Sequence, residues 1–470
     1  MVIGEAIGTT DVAIIGAGPG GYVAALLLAQ HGKKVTLIDR ESVGGVCLHH
    51  GCIPTKTLIR AAEMYESLSQ GKEMGIYCDN PRYDFNQVQN WKRTVVQKLD
   101  QSIRALLEKR NVQLIHANAF FEENNKLMLT PVNENEHLEI NALEFRHCIL
   151  ATGSREREVP GISIDRNKII TSSEAIEFTQ LPSSVLVIGG GYIGIELSQM
   201  LSKFGVQVTL LESLPNILNL LDHDINQIVQ QKLEAHKVKV YTNVQIQQVA
   251  VGEKVKTTFQ YNAKTHEVET DKVLVAIGRV PHTEELRLQN THVKTDDRGF
   301  IRVKSNYATD DPHIYAIGDV VGGVMLANKA MAEAKVAVDA ILGKPAAFDN
   351  LIPYAIFSDP EIAGVGLTET EALQKKIPYK IHKLSYHAIS KSLILNGDGF
   401  YKVLFDDEKN ILGLHIVGPR ASDLIGVGVL AMEMGATLED LSLLIHPHPT
   451  LVEGYAELAQ AVLGFPINSL

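Results

Sequence analysis

The stretch Asp11–Asp39, DVAIIGAGPGGYVAALLLAQHGKKVTLID, decides the fold class of this chain. An apolar strand runs into three glycines, Gly16, Gly18 and Gly21, and a helical segment then leads to a second strand that ends at Asp39. The glycines allow a tight turn and a close approach of the backbone to a pyrophosphate, which the start of the following helix attracts. The acid at the strand end accepts hydrogen bonds from a ribose. The stretch therefore predicts a dinucleotide-binding loop.

The same pattern returns at Ser183–Glu212, SSVLVIGGGYIGIELSQMLSKFGVQVTLLE, with glycines Gly189, Gly191 and Gly194 and the acid Glu212. The distance from the third glycine to the acid is 18 residues in both copies (39 − 21 and 212 − 194). One glycine pattern is weak evidence, because glycine-rich turns are common in α/β proteins, but two complete copies predict two bound dinucleotides. A carboxylate at Glu212 favours NAD, whose 2′-hydroxyl is free, over NADP, whose 2′-phosphate it repels.

A third stretch, GGVCLHHGCIPTK at Gly44–Lys56, contains two of the four cysteines. Proline is tolerated in the first turn of a helix, so Pro54 predicts that a helix begins close to Cys52, with Cys47 in the preceding turn. That geometry allows the two sulfurs to form a disulfide. The helix N-terminus and the ammonium group of Lys56 would stabilise a thiolate once the disulfide is reduced. A redox-active disulfide is therefore the favoured interpretation.

Two other interpretations of this cysteine pair stay open at this point. A zinc site would need further ligands, and His49 and His50 lie between the cysteines, but the spacing matches no common ligand pattern and we expect no metal. The two thiols could also be incidental. Cys148 lies in an apolar strand, where packing is the simpler explanation.

Composition and charge narrow the class of protein. The chain has 470 residues, 45% of them hydrophobic and 21% charged, which is typical of a soluble globular protein with several domains. With a net charge of −11 and no long basic block, nucleic acid is not an expected partner. No apolar run is long enough to span a membrane, and the N-terminal segment lacks the features of a signal peptide, so we expect a cytoplasmic protein without a membrane partner.

Shorter motifs complete the predicted organisation. The turn Thr152–Gly153–Ser154, Gly278 and Asp319 each follow an apolar strand. An acid such as Asp319 before a glycine pair and a helix suits a ribityl or pyrophosphate group, although a helix cap is the simpler alternative. From about Leu351 the pattern changes to strands followed by helices. We predict an α/β fold with two Rossmann-like dinucleotide-binding domains and a C-terminal α+β dimerisation domain. The predicted boundaries are 1–150, 151–280, a central segment 281–350 that completes the first nucleotide site, and 351–470.

These stretches, with YAIGDV and a late HPHPTLVE, resemble the flavoprotein disulfide reductases, a pyridine nucleotide-disulfide oxidoreductase family, over nearly the whole chain. The resemblance implies that the first loop binds FAD, the second binds NAD, and the C-terminal domain forms a homodimer. The residues implied to serve FAD are Gly16, Gly18, Gly21, Asp39, Lys56, Thr152, Gly153, Ser154 and Asp319. The residues implied to serve NAD are Gly189, Gly191, Gly194, Glu212 and Gly278.

The resemblance also implies an activity, the oxidation of protein-bound dihydrolipoyl groups with reduction of NAD. Cys47 is implied to exchange with the dithiol substrate, and Cys52 to lie against the flavin. Lys56 is implied to pair with Glu196 beside the flavin and the nicotinamide.

A dithiol arrives mostly protonated, so a base is needed, and histidine has a suitable pKa when a carboxylate orients it. The sequence does not choose between His446 and His448. The family pattern assigns the base to His448 and the orienting acid to Glu453, and it places this base at the disulfide of the other subunit, so that the active sites are shared.

The implied partners are lipoyl domains and the core acyltransferase of a 2-oxo acid dehydrogenase complex, or a glycine-cleavage carrier protein. One alternative is another FAD-dependent disulfide reductase, similar to glutathione or mercuric reductases. A second alternative is a non-catalytic scaffold tethered to a complex. His49 and His50 depart from the Asn-Val usual between the cysteines, but no catalytic group is missing.

Overall fold

The fold is taken from a computed structural model that describes residues 6–133, 135 and 137–468. Contacts divide the chain into two compact units. The first unit comprises Met1–Leu58, Asp84–Arg157 and Gly278–Asp349, and the second comprises Ile59–Tyr83, Glu158–Ile277 and Asn350–Leu470. The four predicted domain boundaries stay a prediction.

The first unit is built on a seven-stranded sheet. Its central strand, Ile7–Ile15, lies between Val35–Asp39 and Ala142–Leu150, and all three run parallel. Val12, Ala13 and Ile14 are completely buried, as expected for a parallel strand that is covered on both faces. The strands of this unit are Ile7–Ile15, Val35–Asp39, Gln113–His116, Asn118–Glu123, Lys126–Thr130, Ala142–Leu150, Ser154–Glu156, Arg279–Pro281 and Ile314–Ala316.

Helices cover the sheet of the first unit. Pro19–Gln30 and Ala327–Ile341 pack against each other, and apolar residues of both enter one core with the sheet. Asp84 caps the long helix Phe85–Lys109 by accepting from two backbone N–H groups of its first turn. The helices are Pro19–Gln30, Gly45–His49, Phe85–Lys109 and Ala327–Ile341, with short 3₁₀ turns at Glu284–Leu286, Leu288–Asn290 and Gly318–Val321. The helix Cys52–Gln70 gives its residues up to Leu58 to the first unit and the rest to the second.

The second unit contains a second parallel sheet, in the order Lys239–Tyr241, Gln207–Leu211, Ser184–Ile188, Lys272–Val275 and Ile169–Ile170. Every residue of its central strand is buried. A three-stranded antiparallel sheet, Gln245–Val251, Val255–Tyr261 and Lys264–Thr270, follows in the chain. The helices of this part are Ser172–Ala175, Tyr192–Lys203 and His223–Ala235, and a 3₁₀ turn lies at Gly71–Met74.

The C-terminal part of the second unit is a five-stranded antiparallel sheet with helices, as predicted from the change of pattern. Its strands, in sheet order, are Tyr354–Ile356, Ile362–Gly366, Ile411–Val417, Phe400–Phe405 and Lys380–Ser385. Its helices are Glu369–Lys375, Ser390–Ile394, Ala421–Glu433, Leu438–Ser442 and Gly454–Val462, with 3₁₀ turns at Tyr386–Ala388 and Leu451–Glu453. The predicted α/β fold class is confirmed. Among the described residues, no helix has the length and apolar character needed to cross a membrane.

Candidate active site

The first glycine loop joins the central strand of the first unit to the following helix in a form that requires glycine. Gly16 has a φ of +102°, and a Cβ atom there would lie 2.2 Å from the carbonyl oxygen of Ala151. A Cβ on Gly21 would lie 1.8 Å from the carbonyl oxygen of Gly16, so the helix packs directly on the loop. At Gly18 an added Cβ would meet no described atom beyond its chain neighbours within 4 Å. A side chain would therefore clash at the first and third glycines, whereas the space beside the second glycine is open.

The second glycine loop repeats this geometry in the second unit. A Cβ on Gly189 would lie 2.4 Å from the carbonyl oxygen of Ala276, and a Cβ on Gly194 would lie 2.0 Å from the carbonyl oxygen of Gly189. Around Gly191 the described residues again leave the position of an added Cβ open. The repeat seen in the sequence is thus a repeat of three-dimensional structure, glycine by glycine.

The two acids brace their loops through the same backbone contacts. Asp39 Oδ2 accepts from the N–H of Ala17 at 2.6 Å, and its Oδ1 accepts from the N–H two residues further along at 2.7 Å. Glu212 Oε2 accepts from the N–H of Gly190 at 2.6 Å, and its Oε1 accepts from the N–H two residues further along at 2.8 Å. Burial raises the pKa of Asp39 despite these bonds. Each carboxylate therefore stands beside the open second glycine of its own loop.

Both loops fit a dinucleotide. The helices that follow begin directly after Gly18 and Gly191, and these two N-cap residues offer the first N–H groups no side-chain cap. Free N–H groups at a helix N-terminus attract phosphate, and a carboxylate at the end of the second strand suits a ribose. The chain presents this arrangement twice.

A buried polar cluster lies where the strand Ile314–Ala316 ends in the first unit. Ser154 Oγ donates to Asp319 Oδ2 at 2.5 Å and accepts from Arg279 Nε at 2.7 Å. The N–H of Gly318 donates to the fully buried Glu333 at 2.5 Å. Ser154 thus bonds the Asp319 carboxylate directly, and Glu333 holds the backbone of the residue before it. Ser154 and Asp319, both of which the resemblance implies for FAD, lie together in the structure, and their role at FAD stays a prediction. Arg279 and Glu333 were not predicted as site residues. Arg279 reaches Ser154 across 125 residues of the chain, and Glu333 lies on a helix whose sequence is typical of an ordinary core helix.

The remaining predicted turn residues lie nearby in the first unit. Thr152 Oγ1 donates to the carbonyl oxygen of His282 at 2.7 Å, and the N–H of His282 donates to the carbonyl oxygen of Gly153 at 3.1 Å. Gly278, which was assigned to NAD, belongs to this unit as well, where its carbonyl oxygen accepts from the N–H of Arg157 at 3.1 Å. Its φ of +110° is a conformation that favours glycine. The structure therefore groups Gly278 with the turn that carries Ser154.

The cysteine loop forms two helices instead of a turn and a helix. As predicted, a helix begins at Cys52, and Pro54 lies in its first turn. The prediction that Cys47 lies in a turn is wrong, because Cys47 is in the middle of a five-residue helix, Gly45–His49. Gly44, with a φ of +92°, is the left-handed N-cap of this helix, and the paired glycines were its only indication in the sequence.

The two thiols of this loop are in hydrogen-bond contact. Cys47 and Cys52 are both partly buried. The hydrogen bond to Cys52 and burial raise the pKa of the Cys47 thiol, and the charge of Lys56 acts in the opposite direction. A pair of this kind loses its first proton more easily than its second, because the remaining proton is shared by the two sulfurs. The arrangement suits a dithiol that holds one thiolate.

The two histidines between the cysteines face carboxylates of other segments. His49 Nε2 lies 2.9 Å from the carbonyl oxygen of Val43 and 3.6 Å from Asp100 Oδ1. His50 Nε2 lies 3.7 Å from Glu41 Oε2. These contacts anchor the short helix to its surroundings, so the two imidazoles have structural partners outside the cysteine pair.

The late histidine motif brings one imidazole and one carboxylate together. His448 Nδ1 lies 2.8 Å from Glu453 Oε1, and Glu453 Oε2 accepts from the N–H of Thr450 at 2.7 Å. Burial raises the pKa of Glu453, but the bonds from Thr450 and His448 outweigh burial and hold this pKa below its ordinary value. The His448 side chain is 70% exposed, whereas the Nε2 of His446 is buried with no hydrogen-bond partner among the described residues. Of the two histidines in this motif, His448 is therefore the one that combines an orienting carboxylate with an accessible ring.

Glu196 lies on the helix that follows the second glycine loop. It is 2% exposed, and its Oε1 accepts from the N–H of Phe357 at 2.9 Å. A buried carboxylate requires such partners, since its loss of hydration is otherwise costly. The predicted pairing of Glu196 with Lys56 stays a prediction.

Comparison with known proteins identifies relatives over the whole chain. Residues 10–334 match the family model "Pyridine nucleotide-disulphide oxidoreductase", and residues 352–459 match that family's dimerisation domain. A dihydrolipoyl dehydrogenase of Geobacillus stearothermophilus is 41% identical, with 100% of this chain and 99% of the relative covered. A dihydrolipoyl dehydrogenase of Haloferax volcanii is 39% identical, with both chains covered completely.

Solved structures agree with this relationship. The HOCl-induced flavoprotein disulfide reductase RclA of Escherichia coli superposes with a TM-score of 0.85 at 25% identity, covering 96% of this chain and 100% of its own. LpdA of Mycobacterium tuberculosis superposes with a TM-score of 0.89, covering 96% of this chain and 99% of its own, and at 24% identity it shows the fold alone. With two glycine loops, an adjacent cysteine pair and relatives of this similarity, the chain belongs to the pyridine nucleotide-disulphide oxidoreductase family.

Proposed function

We propose that this chain oxidises protein-bound dihydrolipoyl groups to lipoyl groups and reduces NAD⁺ to NADH. The observation that carries the proposal is the contact between Cys47 and Cys52 at the start of a helix, where the pair can cycle between dithiol and disulfide. Relatives that cover the whole chain at 39–41% identity and are named dihydrolipoyl dehydrogenase support the choice of substrate. FAD, held by the first glycine loop, supplies the two-electron carrier between the cysteine pair and NAD.

The disulfide exchange follows from the chemistry of the two cysteines. In the oxidised enzyme, a thiolate of the substrate attacks Cys47 Sγ, the bond between the two sulfurs breaks, and Cys52 leaves as a thiolate. The second sulfur of the substrate then attacks the mixed disulfide and releases Cys47. The substrate has lost two electrons and the cysteine pair has gained them. The positive charge of Lys56 acts on this pair in the direction that favours a thiolate.

His448 is the proposed base for the substrate thiol. Its Nδ1 is engaged by Glu453, so the other ring nitrogen, Nε2, is the atom that takes the proton. The Glu453 carboxylate orients the ring and stabilises the imidazolium that forms, as the acid of a hydrolase triad does. In the proposed homodimer, the exposed His448 of each chain serves the cysteine pair of its partner, so that both active sites are shared.

NAD is the proposed acceptor at the second glycine loop. Glu212 accepts from the N–H of Gly190 in the loop and from the N–H of Leu214, so its carboxylate is held beside the open second glycine. A fixed negative charge there repels a 2′-phosphate and accepts from a 2′-hydroxyl.

The proposed partners are a second copy of the chain and the lipoyl-carrying domains of a 2-oxo acid dehydrogenase complex, docked on its core acyltransferase. A lipoyl-bearing carrier protein of glycine cleavage is the alternative. The match of residues 352–459 to a dimerisation domain supports the second copy. We propose a cytoplasmic location for this assembly.

The direct test is an assay of the purified, FAD-loaded protein with dihydrolipoamide, comparing NAD⁺ and NADP⁺ while flavin absorbance is followed. We expect bleaching of the flavin by dihydrolipoamide alone and at least tenfold faster turnover with NAD⁺ than with NADP⁺. Glutathione disulfide with NADPH and Hg²⁺ with NADPH serve as the rival reactions. Faster turnover in either rival reaction than with dihydrolipoamide refutes the substrate. A flavin that no dithiol bleaches favours the scaffold alternative.

A further inference from the structure

Three side chains on one face of the helix Tyr192–Lys203 hold a single segment of the second unit. Glu196, Gln199 and Lys203 are spaced by three and four residues, so they project from the same side. All three contact the segment Phe357–Asp359, which follows the strand Tyr354–Ile356 in the chain. Helix and segment are therefore fastened to each other along two turns of the helix.

Gln199 makes the central contact. Its Nε2 donates to the carbonyl oxygen of Asp359 at 2.8 Å, and its Oε1 accepts from the N–H of the same residue at 2.8 Å. Gln199 is 3% exposed, so these two bonds replace water that the amide has given up on burial. One glutamine side chain thus fixes both backbone polar groups of one residue, and that determines the direction of the segment.

Lys203 strengthens the contact with charge. Its Nζ lies 2.8 Å from Asp359 Oδ2 and 2.9 Å from Glu66 Oε2, and its side chain is only 4% exposed. His236 Nε2 lies 2.8 Å from Glu66 Oε1 on the far side. Burial lowers the pKa of Lys203, but the two carboxylates outweigh it and raise this pKa. The Lys203 ammonium group lies between the two carboxylates of a cluster that could otherwise hold a metal ion.

The segment so held carries a donor for Glu196. Phe357 lies two residues before Asp359, and its N–H donates to Glu196 Oε1 at 2.9 Å. A bond to a buried carboxylate is charge-assisted, so its strength depends on a fixed donor direction. The direction of the Phe357 N–H follows that of the segment, which Gln199 and Lys203 hold at Asp359.

We propose that Gln199 is a positioning residue for Glu196: by gripping Asp359 it fixes the Phe357 N–H that orients the Glu196 carboxylate. The functional part of this inference rests on the proposed function, in which Glu196 acts beside the nicotinamide. Gln199 acts only through the segment and touches no reacting atom. The structural part, the coupling from Gln199 to Phe357, stands without any cofactor.

Hydrogen–deuterium exchange tests the coupling in Gln199→Met, which keeps the length and packing of the side chain and removes both hydrogen bonds. The Asp359 amide loses its own acceptor and is expected to exchange about tenfold faster in any case. The decisive amide is that of Phe357, which bonds to Glu196 and not to Gln199. We expect it to exchange at least threefold faster as well. Faster exchange at Asp359 with unchanged exchange at Phe357 overturns the proposal and leaves Gln199 a local structural role.

Ser198→Ala is the matched control on the same helix. Ser198 is fully buried, and its Oγ has no hydrogen-bond partner among the described residues, so both amides should exchange within twofold of the wild-type rate. Should Gln199→Met fail to fold, Gln199→Glu retains an acceptor for the Asp359 N–H and replaces the amide donor with a carboxylate oxygen that faces the Asp359 carbonyl oxygen. The Phe357 amide should then exchange about twofold faster, and an unchanged rate contradicts the coupling.

Stopped-flow kinetics separates this inference from the proposed function. In the wild type, reduction by dihydrolipoamide without NAD⁺ tests the function itself. In Gln199→Met we expect that half-reaction within twofold of wild type, whereas kcat for NADH formation falls about tenfold at a nearly unchanged KM for NAD⁺. An equal loss in both halves contradicts a role for Gln199 through Glu196 at the nicotinamide side. If dihydrolipoamide does not reduce the wild-type protein, the proposed function is refuted. The hydrogen–deuterium exchange result then still tests the structural coupling from Gln199 to Phe357.

Discussion

An added methyl group should have different effects on stability at two glycines of the second glycine loop, Gly194 and Gly191. In Gly194→Ala the new Cβ would lie 2.0 Å from the carbonyl oxygen of Gly189, about 1 Å inside the closest distance that real Cβ contacts reach. The start of the helix must move, and overpacking of this kind costs roughly 1–3 kcal/mol of unfolding free energy. In Gly191→Ala the new Cβ meets open space, and the φ of −74° suits alanine, so unfolding free energy should change by less than about 1 kcal/mol.

NAD binding should be weakened directly by Gly191→Ala, the variant that is expected to keep its stability. The methyl group of Gly191→Ala fills the space beside the helix N-terminus, where a pyrophosphate would accept from backbone N–H groups. Loss of one charge-assisted hydrogen bond weakens binding by roughly 1.5–3 kcal/mol, about tenfold to a hundredfold in Kd. Calorimetric titration with NAD⁺ and the midpoint of urea denaturation measure the two effects separately.

The result that refutes this reasoning is a Gly191→Ala protein that folds as the wild type does and binds NAD⁺ with unchanged affinity. The open space would then not be the position of the pyrophosphate. Gly426→Ala is the matched control, since its added Cβ also meets open space, at an exposed position of the helix Ala421–Glu433. This control should leave NAD⁺ affinity within twofold.

Three further predictions follow from the site and its surroundings. Cys47→Ser should lower turnover with dihydrolipoamide at least a thousandfold, because no disulfide can form. Electron transfer from NADH to a dye should be unchanged. Turnover with dihydrolipoamide above one tenth of the wild-type rate would contradict the scheme. Glu453→Gln should lower kcat with dihydrolipoamide tenfold to a hundredfold, through loss of the charged partner 2.8 Å from His448 Nδ1, and leave dye reduction by NADH unchanged. For Glu66, burial acts against a low pKa, but His236 and Lys203 lower it to about 2. Glu66→Gln should therefore reduce the free energy of unfolding by about 3 kcal/mol at pH 7. This loss of stability should disappear as the pH falls from about 5 towards 2, where Glu66 becomes protonated in the wild type. A loss of stability that is the same at every pH would contradict the low pKa of Glu66.

The nucleotide loops were predictable from sequence because every contact that defines them is local. The three glycines of each loop lie within six residues, and the acid follows 18 residues after the third glycine. The contact from Asp39 to Ala17 spans 22 residues, as does that from Glu212 to Gly190. All of these contacts lie within one strand–helix–strand unit, so the pattern can be recognised without information about the rest of the fold.

Other parts of the candidate site were not predictable because they depend on distant partners or on short-range backbone geometry. The bond from Glu196 to Phe357 spans 161 residues, and the two bonds from Gln199 span 160. Nothing in the sequence GYIGIE indicates that the helix Tyr192–Lys203 forms hydrogen bonds with the segment Phe357–Asp359. The short helix around Cys47 was missed for the opposite reason: five residues are too few for a helical period, and the left-handed Gly44 that starts it reads as an ordinary loop glycine.

Asp39 and Glu212, each at the end of the second strand of its strand–helix–strand unit, have two proposed functions: they hold the glycine loop and they bind a ribose. A carboxylate has about four acceptor positions. Asp39 and Glu212 each use one of them on an N–H group of the glycine loop and one on the N–H two residues further along, and Glu212 accepts from the Ser213 hydroxyl as well. The remaining positions are available to a ribose. Replacing either acid would therefore loosen the loop and remove the ribose contact at once, and a loss of binding would not distinguish the two causes. Gly191→Ala leaves both braces intact and changes only the space beside the helix N-terminus, so a loss of affinity in that variant bears on the nucleotide alone.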